Sequence, residues 1–148
     1  MNETVQILQD LARNAQSGLD AIEALTLRAE SRAMRDALNE ARTRYQKSLR
    51  DGERALRAAG GPAEPTGKAA RTAMKLGLEL QTAVNRTDDH IAEMVIQGAT
   101  MGVIEMTKSM NTYAEAEPYA RSLASQFIVQ QNEIIETHKK FLENLVHA

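Results

Sequence analysis

Residues 118–146, PYARSLASQFIVQQNEIIETHKKFLENLV, decide the fold. Tyr119, Leu123, Phe127, Gln130/Gln131, Ile134, His138, Phe141 and Leu145 recur three and four apart, close to a repeat of about 3.5 residues, which gathers them along one side of a long helix. Pro118 suits the first helical position, where its missing N–H has no partner to lose. One apolar stripe on an otherwise polar helix must be buried against other helices. The rest of the chain supplies them.

Val5, Leu8, Leu11, Ala15, Gly18/Leu19, Ile22, Leu25 and Ala29 predict a first helix from Glu3 to Ala29, with Asn2 as N-cap and Glu3 in its positive first turn. The stripe changes phase near Glu30–Arg32. Ser31 can cap a second helix from Arg32 to Ala59, inward-facing at Met34, Leu38, Ala41, Tyr45, Leu49, Gly52 and Leu56. So short a connection makes the two helices antiparallel neighbours. Gly60-Gly61-Pro62-Ala63-Glu64-Pro65-Thr66-Gly67 then stops the chain and holds it extended. A shorter amphipathic helix is expected over 68–84 as part of a crossover. Asn85 to Asp89 forms the next break, with Thr87 or Asp88 capping a third long helix that runs to Tyr113; the last reaches Val146. Long helices of about 26–30 residues span roughly 40–45 Å each, so the four match in length. The expectation is one all-α domain over residues 1–148.

Composition agrees and excludes. Aromatics are 3% of 148 residues with no tryptophan, which suits helices packed through aliphatic side chains better than sheets. A net charge of −2 gives no electrostatic reason to expect nucleic acid or an anionic membrane as partner. Without cysteine there is no disulfide, thiolate metal site or cysteine nucleophile. No run of about 18 apolar residues exists to span a bilayer, and the N-terminal residues do not read as a signal peptide, so a cytoplasmic location is expected. Gly60-Gly61 is followed by proline and presents no string of amides to a phosphate, and no serine sits in a nucleophile elbow. Lys68, Arg71 and Lys75 line one side of the short helix and read as a solvated face. No cofactor is expected.

The Arg-Ala-Ala-Gly-Gly-Pro-Ala-Glu-Pro turn at 57–65, the Asp88-Asp89-His90 helix start and Thr137-His138-Lys139, in that order after a helical hairpin, resemble a bacterial family of ferritin-like proteins catalogued as domain of unknown function 2383. The resemblance implies a ferritin-like four-helix bundle running up-down-down-up; the 68–84 pattern adds a short helix in the crossover between helices two and three. The resemblance implies almost nothing about activity. Members often carry a carboxylate-rich segment early in the third long helix; here Ile96-Gln97-Gly98-Ala99-Thr100 keeps only the glycine.

A ferritin-like bundle raises a di-metal carboxylate centre, which needs Glu-x-x-His pairs because that spacing aims both ligands into one inter-helix space. No glutamate in the chain has a histidine three residues on. Of three histidines only His138 lies in a buried stripe, with Glu105 and Glu23 as its conceivable helpers from other helices. The third helix carries a different signal. Ile91, Val95, Gly98 and Gly102 fit a core stripe, while Ile96, Ala99, Val103, Met106 and Met110 form a second one. A second stripe marks an interface unless the crossover covers it. The leading expectation is therefore a non-catalytic bundle acting through protein–protein contact, as a homo-oligomer built on residues 91–110 or with another protein. A degenerate metal or redox protein using His138 is the rival. A third reading, a small apolar ligand between methionine- and glycine-lined helices, requires a cavity near Gly98 and Gly102.

Overall fold

The computed structural model describes residues 2–62 and 86–142. Among them are four helices: α1 (Glu3–Thr26), α2 (Arg32–Ala58), α3 (Asp88–Thr112) and α4 (Pro118–Lys139). The expected crossover helix at 68–84 and the last turn towards Val146 lie outside the described residues.

Local chemistry sets the helix starts. Asn2 accepts from the Val5 amide at 2.8 Å, Ser31 from Met34 at 3.0 Å and Thr87 from His90 at 3.2 Å, each side chain satisfying a first-turn N–H that has no carbonyl partner. Pro118 opens α4, and the Glu117 amide before it donates to Thr4 Oγ1 at 2.8 Å. Gly60 ends α2 with φ at +83°, a left-handed conformation that favours glycine. The amide of Gly61 donates back to the Leu56 carbonyl at 2.8 Å. At the end of α3, Arg121 donates to the carbonyls of Met110 and Tyr113 at 2.8 and 3.0 Å, placing a cation where the helix dipole is negative. α1 stops at Thr26, three residues short of Ala29, in a turn that still buries Ala29.

Cross-helix hydrogen bonds fix the directions. Ser109 donates to Asp10 at 2.7 Å and Ser31 to Asp88 at 2.8 Å, so the foot of α1 meets the end of α3, while α2 and α3 both begin at the head. Arg44 bonds Glu133 at 2.8 Å and Ser48 bonds Gln130 at 2.6 Å, which runs α2 against α4. The bundle is up-down-down-up. α2 ends at the opposite end from where α3 begins, so the connection between them links the two ends. α1 packs on all three other helices, whereas α2 and α3 lie on a diagonal.

The stripes of α1 and α2 face the core as their periodicity requires, around Ile7, Leu8, Leu11, Met34, Leu38 and Leu56. α4 differs at its start: Tyr119 is half exposed, and Ala120 and Ala124 are buried in its place. Ala120, Ala124, Phe127, Gln131, Ile134 and His138 alternate steps of four and three without drift, the spacing that keeps one seam facing its partners. The hydrogen bond from Glu117 to Thr4 ties this end of α4 to α1.

Candidate functional site

Between α1 and α3 the surface opens into a cleft of about 200 Å³, walled largely by apolar groups. Asn14, Ser17, Gly18, Ala21, Ile22 and Leu25 form one side; Met94, Val95, Gly98, Met101, Gly102 and Glu105 form the other. Tyr45 and Gln131 reach in from α2 and α4 to form its floor.

Three glycines shape this site in different ways. A Cβ at Gly18 overlaps the Tyr45 ring, so the missing side chain is what lets the tyrosine pass beneath α1. A Cβ at Gly102 comes within 3.2 Å of Gln131 Oε1, so α3 lies directly on the glutamine amide. At Gly98 nothing lies within 4 Å of such a Cβ, and the helix backbone is bare to the cleft. Met94 and Met101, four residues before it and three after, flank that bare stretch on the same side of α3.

The floor is polar. Tyr45 donates its hydroxyl proton to Gln131 Oε1 at 2.5 Å, and burial pushes the phenol well above its ordinary range. Gln131 is 1% exposed, and its Nε2 has no hydrogen-bond partner. Exchanging the oxygen and nitrogen of the amide raises the count, since the tyrosine oxygen then accepts from Nε2 while its own proton and the glutamine carbonyl both go without a partner. The Nε2 of this amide is thus buried without a partner, an arrangement that costs on the order of 1–3 kcal/mol.

The three residues singled out for metal binding lie apart in character. His138 is fully buried; its Nδ1 donates to the Ile134 carbonyl at 2.9 Å, and its Nε2 has no partner. Glu23 and Glu105 are exposed on α1 and α3, with Glu105 on the cleft wall. Among the described residues no three histidine or carboxylate side chains converge as a metal-holding group.

Burial holds the His138 imidazole below its ordinary value of 6.5; nearby Lys140 pushes the same way, against the Ile134 hydrogen bond and Glu40. A histidine whose pKa is lower in the folded state contributes stability that is complete above the unfolded value and is lost as pH falls below it. Urea midpoints taken from about pH 7.5 down to about pH 5 are expected to fall with a shallower slope in His138→Asn than in the parent chain. Equal slopes in the two proteins mean that the buried ring takes up its proton unhindered.

Ala99 and Met106, assigned above to an interface stripe, are both fully buried in the bundle. Ile96 and Val103 are half-buried, and Met110 is a half-buried residue packed against the core. The two stripes of α3 thus merge into one broad inward face, wider than a single-stripe reading allows. The apolar residues that α3 leaves open are Met101 and Ile104, at 52% and 42% exposure. Gly98, placed in the core stripe by its spacing, is exposed. The cleft was visible in the sequence only as glycines and methionines on α3; the floor residues come from distant helices that no local pattern links to it.

Comparison with known proteins bears on the fold. No family model matches the chain, and no curated protein matches it. The crystal structure of a DUF305 fragment from Deinococcus radiodurans is similar, with a TM-score of 0.72 and 20% identity over 95% of each chain. At that identity the likeness establishes an all-helical bundle and nothing further. It also corrects the resemblance to domain of unknown function 2383, because the similar structure belongs to a different family. The stretches that carried that resemblance are punctuation. Gly60 ends a helix and Asp88 and Asp89 occupy a first turn, roles that many unrelated bundles fill with the same residues. No helix among the described residues is long and apolar enough to cross a membrane.

Proposed function

We propose that this bundle is a non-catalytic binding protein whose working site is the cleft between α1 and α3, which receives a small, largely apolar ligand. The cleft itself carries the reading: about 200 Å³ of space beside a bare helix backbone at Gly98. An apolar cavity of roughly 150 Å³ is enough to bind benzene, so the space is sufficient for a ligand of about eight to ten non-hydrogen atoms. The test is a titration with naphthalene followed by amide NMR. Shifts concentrated at Gly18, Gly98 and Gly102 are expected, with affinity reduced at least about tenfold in Gly98→Leu. That leucine enters open space rather than the core, so the fold survives the change. Absence of shifts up to the solubility of naphthalene, or unchanged binding in Gly98→Leu, removes the reading.

A second reading, contact with another copy of the chain, is favoured by Met101 and Ile104 on the outer side of α3. It expects an oligomer whose mass rises with concentration in sedimentation and that Ile104→Glu splits. A monomer at every concentration counts against it.

A further inference from the structure

We infer that the ligand of this cleft is a small amphiphilic cation, an apolar group carrying a protonated amine, with the apolar group seated beside Gly98 and the ammonium paired with Glu105. The inference rests on the cleft being a ligand site and adds the chemistry that its two ends select.

α1 and α3 run in opposite directions, so contacts between them give the levels of the cleft. Asn14 Nδ2 lies 3.7 Å from Met106 Sδ, and Ser109 bonds Asp10 one turn nearer the foot. Asn14 and Ser17 therefore stand near the level of Glu105, towards the foot, while Ile22 and Leu25 stand with Met94 and Val95, towards the head. The cleft has a polar end and an apolar end.

The polar end offers acceptors. Glu105 is exposed and has no hydrogen-bond or ion-pair partner among the described residues. Asn14 has committed its amino group to the Asp10 carbonyl at 2.9 Å and to the Met106 sulfur. A backbone carbonyl only accepts, which fixes the orientation of this amide and leaves Asn14 its carbonyl oxygen to offer. The Ser17 hydroxyl accepts as well. An ammonium complements this set, since it carries positive charge and donates three hydrogen bonds. An anion meets the Glu105 charge instead, and a neutral hydroxyl leaves that charge unused.

Exposure makes the pairing feasible. Glu105 stands in solvent, so the ammonium keeps part of its hydration while the apolar group leaves water. The pair thereby avoids the desolvation penalty of a buried ion pair, and its contribution is correspondingly modest.

2-Phenylethylamine, 2-phenylethanol and phenylacetate provide the test, carrying a positive, a neutral and a negative head on the same phenyl group. In titrations followed by amide NMR at about pH 7.5 and about 20 mM salt, the amine is expected to bind about threefold or more tightly than the alcohol and about tenfold more tightly than phenylacetate. Glu105→Gln is expected to remove the preference for the amine. Glu136→Gln takes the same charge from an exposed position on α4 outside the cleft, and is expected to leave the preference in place. Alcohol or phenylacetate binding as tightly as the amine in the parent chain overturns the inference and leaves the cleft as an apolar site. An amine preference that persists in Glu105→Gln, or that Glu136→Gln abolishes equally, also overturns it. So does failure of all three probes where naphthalene binds. Failure of naphthalene as well removes the ligand site along with it.

Discussion

Met106→Glu is expected to lower the stability of the bundle by about 4 kcal/mol or more, whereas Met101→Glu changes it by no more than about 0.5 kcal/mol. The two methionines lie five residues apart on α3, and their sequence surroundings are alike. Met106 is completely buried, with its sulfur 3.7 Å from Asn14 Nδ2 across the α1 interface. A carboxylate there loses its hydration, and the packing of a large side chain disappears with it. Met101 stands half in solvent, where a carboxylate is hydrated as in the unfolded chain. Urea denaturation of the two variants measures the contrast. Similar midpoints for both deny that α3 has one buried side and one open side. Met101→Glu has a second use, since it adds a like charge near Glu105 at the cleft and further disfavours anionic ligands.

Gly18→Ala is expected to cost about 2 kcal/mol although alanine is the better helix former by about 1 kcal/mol. The added methyl group overlaps the Tyr45 ring. The ring cannot simply move aside: it is 4% exposed, its hydroxyl is bonded to Gln131, and Phe127 lies against it with ring centroids 6.3 Å apart. Gly98→Ala is the control, because its methyl group meets nothing within 4 Å. That variant is expected to gain about 0.5–1 kcal/mol from helix propensity alone. Opposite signs for the same chemical change, read as urea midpoints, separate a glycine required by packing from one that leaves a surface bare. Two stabilised variants contradict the close approach of Tyr45 to α1.

Much of the fold was legible because its causes are local. A stripe at spacings of three and four needs no partner in order to be recognised, and Asn2, Ser31 and Thr87 act within three residues of themselves. The reading failed where two locally equivalent choices compete. On α4, Tyr119 looks more core-like than Ala120 and Ala124, yet the structure buries the small pair and leaves the tyrosine half exposed. On α3, Ala99 and Met106 read as a second face because several positions are apolar, and how many of them another helix covers depends on how the neighbouring helices sit around it. The candidate metal residues were chosen by type. Their separation, with His138 enclosed and Glu23 and Glu105 in solvent, depends on which way each helix turns.

The sequence by itself determined four amphipathic helices, their caps and most of the residues they turn inward, since periodicity and capping are properties of neighbouring residues. Tertiary structure alone decided that α1 and α3 stand apart beside Gly98. The floor of that gap is the Tyr45–Gln131 pair, contributed by α2 and α4 and joined across 86 positions of chain. A cleft is a gap between surfaces, and its width is written in no single helix.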